Sequence, residues 1–217
     1  MIIAIDGPAG AGKSTVAREV ARALGCAYLD TGAMYRAVTL RVIEQGVAPD
    51  DVAAIRRIAA EAHLVATEDR VTLDGRDVSA RIRADDVTGA VAAVSALPGV
   101  RRAMFVLQRK AAGLGDVVIE GRDIGTNVAP DAEVKVFLTA SPAERARRRV
   151  RQKGLAETPE VLRRIEAAIV ERDAKDSTRS ESPLVQAPDA VLIDSTMMTV
   201  DEVVAAIVSL AERGAAT

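Results

Sequence analysis

The sequence predicts an α/β fold in which a parallel sheet forms the core and helices cover both of its faces. Short apolar runs rich in β-branched residues alternate along the chain with longer segments of helical periodicity. Strands that are separated by helices pair in parallel, because each helix carries the chain back to the edge where the previous strand began. The predicted strands cover residues 1–6, 26–30, 116–120, 133–138 and 190–194.

Several helix boundaries are marked by capping residues. The segment 13–24 places its valines on one face and ends at Gly25. Thr31 is predicted to cap a helix over 32–46. Three later starts combine a Ser or Thr cap with Pro or an acidic residue in the first turn: "SPAE" at 141–144, "TPE" at 158–160 and "TVDE" at 199–202.

Two segments depart from the alternation of strand and helix. Residues 63–83 show a period of two around "ED" and "DG", which predicts a small antiparallel meander. Residues 145–157 are strongly basic and precede a new helix start, which we interpret as a mobile helical flap. No repeat or long linker divides the 217 residues, so both segments are expected to belong to one domain, 1–217.

Composition excludes several classes of function. A net charge of −2 provides no positive electrostatic field to attract nucleic acid. With no Trp and only two Phe and two Tyr, the chain also has few aromatic rings on which bases could stack. The single cysteine, Cys26, fits a reducing compartment and is expected to be a small core residue. No basic leader or apolar run of ~20 residues is present, so we expect a cytoplasmic protein without a membrane anchor.

The stretch "IDGPAGAGKSTVA" contains a complete phosphate-binding P-loop between a predicted strand and a predicted helix. Glycines let successive N–H groups point at phosphates, and the helix start adds its positive dipole end. Lys13 is expected to reach the outer phosphates, and the Ser14 hydroxyl to bind Mg²⁺. A chance glycine-rich turn is the alternative, but spacing and context agree. The nucleotide-binding residues are predicted to be Gly7, Pro8, Ala9, Gly10, Ala11, Gly12, Lys13, Ser14 and Thr15.

The P-loop alone does not say what receives the phosphate. An Asn-Lys-x-Asp motif, which a regulatory GTPase uses to recognise its base, does not occur in the sequence. A mechanical ATPase would carry an acid after an apolar strand. "VVIEGRD" offers Glu120 and Asp123 there, but Gly121-Arg122 between them is unusual for that role.

Three other segments place arginine close to aspartate: "YLDTGAMYR" (28–36), "GRDIGT" (121–126) and "ERDAKDSTR" (171–179). Each has an ordinary explanation by itself, as a capped helix, a turn with an internal Arg122–Asp123 pair, or a solvated helix end. Together they favour a second phosphate-bearing ligand. An arginine can donate two hydrogen bonds to a phosphate group, and a carboxylate can accept hydrogen bonds from a sugar or a base.

The chain resembles the bacterial-type cytidylate kinases. The resemblance rests on "IDGPAGAGKST", "YLDTGAMYRAVTL", "VIEGRDIGTNVAPDAEVKVFLTAS", "ERDAKDSTR" and "PLVQAPDAVLIDST", and it covers nearly the whole chain. It implies a P-loop kinase that transfers the γ-phosphoryl group of ATP to CMP or dCMP with Mg²⁺. It also implies a monophosphate-binding region at about 31–115, enlarged by the insert 63–83, and a lid at about 145–157. We expect a monomer that binds these small molecules.

The resemblance also implies roles for individual residues. The CMP phosphate is expected to be held by Arg36, Arg122 and Arg179, the sugar by Arg172 and Asp176, and the cytosine edge by Arg101 and Asp123; Asp30, Thr31 and Tyr35 are expected to shape the acceptor pocket. The catalytic set is Lys13 and Arg122 with the lid arginines Arg145, Arg148 and Arg149.

One position departs from the family pattern. Many members carry a base-contacting serine where this chain has Ala92, and here the serine is Ser95, one helical turn later. Two alternatives remain beside the resemblance: a kinase for another monophosphate, and a module that senses nucleotides without turnover. ADP formation that depends on added CMP would separate both from the cytidylate kinase interpretation.

Overall fold

A computed structural model of the chain describes residues 1–179 and 181–214. In chain order the strands are β1 (Ile2–Asp6), β2 (Ala27–Asp30), β3 (Leu64–Ala66), β4 (Val71–Leu73), β5 (Arg76–Asp77), β6 (Val117–Glu120), β7 (Val134–Thr139) and β8 (Val191–Asp194). The helices are α1 (Lys13–Leu24), α2 (Thr31–Glu44), α3 (Val52–Glu61), α4 (Asp85–Ala96), α5 (Pro98–Ala112), α6 (Pro142–Gln152), α7 (Pro159–Ser177) and α8 (Val200–Gly214).

The described residues form two compact units. Residues 1–26 and those from 116 onward make up the first, which we call the core unit. Residues 27–115 make up the second, which we call the inserted unit because it interrupts the core unit in sequence.

The core unit is built on parallel strands in the order β6-β1-β7-β8. In this register Ile3 lies opposite Val118 on one side and Val134 on the other. Ile3, Ala4 and Ile5 are fully buried, as expected for a central strand covered on both faces. The predicted α/β class and the parallel sheet are confirmed, and the strand ends differ from the predictions by about one residue.

The carboxyl ends of these strands carry the segments that the sequence singles out. β1 ends at Asp6 directly before the P-loop, and β6 ends at Glu120 directly before "GRDIGT". β7 ends at Thr139 shortly before α6. Parallel strands present their carboxyl ends at one edge of the sheet, where α/β proteins bind ligands.

The three later helix starts are capped as predicted. Ser141 accepts a hydrogen bond from the Glu144 amide, and Thr158 accepts one from the Val161 amide. Thr199 and Glu202 exchange hydrogen bonds in a capping box.

The prediction that Thr31 caps α2 is wrong. Asp30 holds that position in an extended conformation, and its Oδ1 accepts from the Ala33 amide at 2.8 Å. Thr31 is instead the buried first residue of the helix. A carboxylate at this end also interacts favourably with the positive end of the helix dipole, which the threonine hydroxyl does only weakly.

The inserted unit contains the antiparallel meander that the sequence predicts at 63–83. Its strands follow the order β3-β4-β5, with Leu64 opposite Leu73. The meander ends at Asp77, whose carboxylate accepts from the amide and hydroxyl of Ser79 in a tight turn. Residues 81–83 form a 3₁₀ turn, so the last part of the predicted segment is not strand.

The predicted flap at 145–157 is helical as far as Gln152, where α6 ends. Gly154 follows with a positive φ of 62°, a conformation that stops a helix, and α7 begins at Pro159. Among residues 1–179 and 181–214 no single helix has the length and apolar character to cross a membrane; α4 and α5 reach that threshold only as a pair, bent by 95°.

Candidate active site

The P-loop connects β1 to α1 through three glycines with positive φ: 147° at Gly7, 78° at Gly10 and 93° at Gly12. A Cβ at Gly7 would lie 2.0 Å from the carbonyl oxygen of Leu138, so the loop passes closer to β7 than any other residue allows. Glycine is therefore required at this position of the motif by the path of the backbone.

Lys13 is the first residue of α1 and is almost fully buried. Its Nζ donates to the Pro8 carbonyl at 2.9 Å, inside the loop. Burial, with smaller contributions from Arg122 and Arg172, lowers the pKa of Lys13 to about 7, although Glu120 and Asp6 oppose the shift. The position of Lys13 Nζ inside the loop is suited to binding phosphate oxygens.

Four carbonyl groups of the loop accept hydrogen bonds from basic side chains. The pairs are Gly7 with Arg122 at 3.0 Å, Pro8 with Lys13 at 2.9 Å, Ala9 with Arg145 at 3.0 Å and Ala11 with Arg148 at 3.2 Å.

In a trans peptide the C=O and the following N–H point in opposite directions. The N–H groups of Gly10 and Gly12 therefore point away from the arginines that hold the Ala9 and Ala11 carbonyls. This arrangement leaves those N–H groups directed to the other side of the loop, where an anion can accept from them.

The resemblance implies that Arg122 and Arg179 bind the CMP phosphate and that Asp176 binds the sugar. In the core unit these three side chains contact one another. Arg122 Nε donates to Asp176 Oδ2 at 2.9 Å, and Arg179 donates to Asp176 Oδ1. The Asp176 side chain is buried, whereas Arg122 and Arg179 remain 18% and 13% exposed. One buried carboxylate thus orients two arginine side chains that remain partly exposed, an arrangement suited to a phosphate site.

The "GRDIGT" segment forms a π-helical turn over Ile124–Val128. Asp123 precedes this turn, is buried, and accepts from Asn127 Nδ2 at 3.3 Å. The pairing of Arg122 with Asp176 replaces the Arg122–Asp123 turn pair that was the ordinary explanation of this segment.

Sequence reasoning missed Asp6, which holds this turn in place. Its carboxylate accepts from the amides of Ile124 and Gly125 at 2.9 and 2.8 Å. Burial raises the pKa of Asp6 to about 6, against the lowering effect of those two amides. Its position at the end of an apolar strand was the available signal, since an acid there has to find buried partners.

The three arginines of α6 that were predicted to act have different surroundings. Arg145 is buried, and besides Ala9 it donates to the Ala140 carbonyl at 2.9 Å and to Asp173. Arg148 donates to Ser195 Oγ at 3.1 Å as well as to the loop. Arg149 donates to Gln152 Oε1 at 2.8 Å on the same helix. Two of the three therefore contact the P-loop directly.

The inserted unit carries the remaining predicted residues. Arg36 donates to Thr88 Oγ1 at 2.9 Å and to the Ile82 carbonyl at 3.3 Å. The Arg101 guanidinium lies 5.6 Å from the centre of the Tyr35 ring, a cation–π distance.

Arg101 also donates to the Ser95 carbonyl at 3.4 Å, and Ser95 Oγ donates to the Ala92 carbonyl at 3.3 Å. Ala92 and Ser95, the two positions at which this chain departs from the family pattern, are therefore linked to Arg101 by successive hydrogen bonds.

Magnesium chemistry is compatible with the start of α1. Ser14 is exposed there, directly after Lys13, and offers a hydroxyl oxygen. Mg²⁺ keeps several waters and binds through one or two protein oxygens together with substrate phosphates. Among the residues that the structure describes, no group of three His, Cys, Asp or Glu side chains could hold a metal by itself.

Comparisons with known proteins show the family to which the chain belongs. A family model described as cytidylate kinase matches residues 3–213. A cytidylate kinase of Mycobacterium leprae is 50% identical over 98% of this chain and 96% of that protein. One of Limosilactobacillus reuteri is 49% identical over 97% and 95%. A shikimate kinase structure from Bacteroides thetaiotaomicron covers 98% of both chains with a TM-score of 0.50 at 15% identity, which supports the fold alone.

Proposed function

This chain belongs to the cytidylate kinase family, and we propose that it transfers the γ-phosphoryl group of ATP to CMP or dCMP, which yields ADP and CDP or dCDP. The observation that carries the proposal is the pairing of a complete P-loop with the Arg122–Asp176–Arg179 cluster in the same unit. A phosphate donor and a phosphate acceptor each need such a set of cationic and N–H groups.

The donor side is assigned to residues 7–15. The amides of Gly10 and Gly12 and the Lys13 ammonium would donate hydrogen bonds to the outer phosphates, a role supported by the contacts that orient them. Because these groups are fixed before the nucleotide arrives, they stabilise developing charge without reorganisation during the reaction. We propose Ser14 as the protein ligand of Mg²⁺, which would supply further neutralisation of phosphate charge when bound.

The acceptor side is assigned to the residues that the resemblance named, some of which lie in the core unit and some in the inserted unit. In the core unit, Arg122 and Arg179 would bind the CMP phosphate, Arg172 and Asp176 the sugar, and Asp123 the base. In the inserted unit, Arg36 would bind the phosphate and Arg101 the base, in a pocket shaped by Asp30, Thr31 and Tyr35. The support for these roles is the preorganisation of their side chains by Asp176, Thr88 and Tyr35.

The segment 145–157 is proposed to act as the lid. Phosphoryl transfer to CMP competes with transfer to water, so the site has to close once both substrates are bound. Arg148 already contacts the donor loop, whereas Arg149 binds Gln152 and would need to change rotamer to reach a phosphate. We expect the enzyme to act as a cytoplasmic monomer on these small-molecule substrates.

A coupled assay of ADP formation tests the proposal. Each reaction would contain the protein, ATP and Mg²⁺ together with one acceptor, which is CMP, dCMP, UMP or AMP; one further reaction would contain no acceptor. We expect ADP to form rapidly with CMP and dCMP and hardly at all without an acceptor. Equal ADP formation with AMP would indicate a different monophosphate kinase. Nucleotide binding without turnover for any acceptor would indicate a sensing module.

A further inference from the structure

The peptide groups on both sides of Ala9 are held by one ion pair, although Ala9 lies in the middle of the P-loop. Asp173 Oδ1 accepts from the Ala9 amide at 3.2 Å, and Arg145 Nη1 donates to the Ala9 carbonyl at 3.0 Å. Arg145 and Asp173 also pair with each other. The two side chains come from different helices, α6 and α7, and Asp173 is 164 residues away from Ala9 in sequence.

The direction of the Arg145 side chain defines what it can do. Its guanidinium donates to two backbone carbonyls and one carboxylate, and only 6% of the side chain is exposed. Its Cβ is so close to the loop that a Cβ at Gly10 would lie 3.3 Å from it. Arg145 therefore packs against the P-loop with its backbone as well as its charge.

The charge of Asp173 needs a separate explanation. A carboxylate that accepts from an amide of a phosphate-binding loop has the same sign as the ligand, and it opposes binding unless a cation neutralises it. Arg145 supplies that neutralisation at direct contact. The pair thus adds geometry to the loop without adding net charge.

We propose that Asp173 and Arg145 are positioning residues that fix the two peptide groups flanking Ala9, so that the Gly10 amide is directed at the donor phosphates. The inference rests on the proposed function in its assignment of the donor to residues 7–15. It gives Arg145 a role that differs from direct contact with the transferring group, and it gives Asp173 a role in donor affinity.

The proposal is tested with Asp173→Ala, Asp173→Asn and Arg145→Lys. Asp173→Ala removes the contacts of Asp173 with the Ala9 amide and with Arg145. Asp173→Asn keeps an oxygen for the Ala9 amide but loses the negative charge. Arg145→Lys keeps the positive charge but loses the planar guanidinium group with its several donors. Glu171→Gln is the matched control, since Glu171 lies on the same helix, is exposed, and pairs only with Lys175 among the contacts described. Binding of a non-hydrolysable ATP analogue is measured by calorimetry, and KM is measured for ATP and CMP.

Loss of a charge-assisted hydrogen bond at a binding loop weakens affinity by about tenfold. We expect Asp173→Ala to weaken analogue binding and raise the KM for ATP by about that factor, while the KM for CMP at saturating ATP changes less than about twofold. Asp173→Asn should fall between Asp173→Ala and wild type. Combining Arg145→Lys with Asp173→Ala should cost little more than Asp173→Ala alone, because both changes break one unit.

Three results would overturn the inference: unchanged analogue affinity in Asp173→Ala and Arg145→Lys, an equal rise in the KM values for ATP and CMP, or full additivity of the two substitutions. If Asp173→Ala does not fold, Asp173→Asn and Arg145→Lys give the same comparison. Calorimetry needs no turnover, so a wild-type protein inactive on CMP would refute the proposed function while the donor-loop inference stayed open to test by binding.

Discussion

Arg122 on the loop after β6 and Asp176 on α7 form a 2.9 Å hydrogen-bonded ion pair, although 54 residues separate them in sequence. The same Arg122 donates to the Gly7 carbonyl of the P-loop at 3.0 Å. The carboxylate is buried and also receives Arg179. Arg122 therefore links the donor loop to the predicted acceptor cluster within the core unit.

Replacing Asp176 with Ala should destabilise the protein and weaken CMP binding together. It leaves two partly buried arginines without their shared carboxylate, and removal of one partner from such a site typically costs about 3 kcal/mol. We expect a lower urea midpoint and a KM for CMP raised at least about tenfold. Asp201→Ala, at an exposed position in the first turn of α8, is the control. A normal KM for CMP would mean that the cluster is purely structural.

The stability of the protein should depend on pH through Asp6. Its pKa is about 6 in the folded chain against 3.8 for an ordinary aspartate. The folded state therefore binds the proton more tightly, and stability falls as pH rises through the window from about 4 to about 6. Asp6→Asn does not titrate and lacks this component.

The comparison of wild type with Asp6→Asn isolates that component. The free energy of unfolding of wild type, relative to Asp6→Asn, should decrease by about 3 kcal/mol between pH 4 and pH 6.5. Urea titrations at several pH values measure both curves. Parallel curves for the two proteins would contradict the burial of an ionisable Asp6.

Lys13→Ala should abolish most kinase activity while the thermal midpoint stays near that of wild type. The folded protein gains little from Lys13, because burial of its ammonium group lowers the pKa to about 7 and offsets the bond to Pro8. Activity and thermal midpoint would be compared with those of Lys175→Ala, an exposed lysine on α7. Near-normal turnover of Lys13→Ala would refute the donor-site assignment.

Asp123→Ala should reduce the preference for CMP over UMP. Cytosine presents an amino donor where uracil presents a carbonyl acceptor, so a carboxylate favours the first by ~1–3 kcal/mol, or roughly tenfold to a hundredfold. The CMP-to-UMP ratio of kcat/KM and the Mg²⁺ dependence are measured in parallel. If Asp123 served the metal instead, all acceptors would suffer equally and the Mg²⁺ requirement would shift. An unchanged ratio would exclude base recognition.

Hydrogen exchange should slow in residues 145–157 when a bisubstrate analogue binds. The stretch after α6, from Lys153 to Glu157, is exposed, so its amides are expected to exchange faster than those of the buried strands in the free protein. The strands β1 and β6 provide the internal reference because they are buried in the core unit. Equal exchange with and without the analogue would show that the segment is a static part of the surface.

The sequence predicts the architecture well because the relevant signals are local. Apolar runs, the P-loop spacing and the caps at Ser141, Thr158 and Thr199 depend on neighbours within a few residues. The failure at Thr31 has a local cause as well. Asp30 and Thr31 are both good caps, and only the extended backbone of Asp30 decides between them.

The residues that sequence reasoning missed act through long-range contacts. Asp6 contacts amides 118 and 119 residues away, and Asp173 contacts an amide 164 residues away. Each looks like an ordinary acid in its own segment, and only the folded chain gives it a partner. Separation in sequence also explains why the contact of Arg122 with the Gly7 carbonyl was not predicted, although a role of Arg122 in phosphate binding was.

The attachment of the four P-loop carbonyls has a consequence for protein engineering. Only Lys13 belongs to the motif itself; the other three cations, Arg122, Arg145 and Arg148, come from two distant segments. A graft of residues 7–15 onto a foreign scaffold would carry the glycines and the lysine but none of those arginines. We expect such a graft to bind nucleotide weakly until guanidinium groups are rebuilt behind Gly7, Ala9 and Ala11.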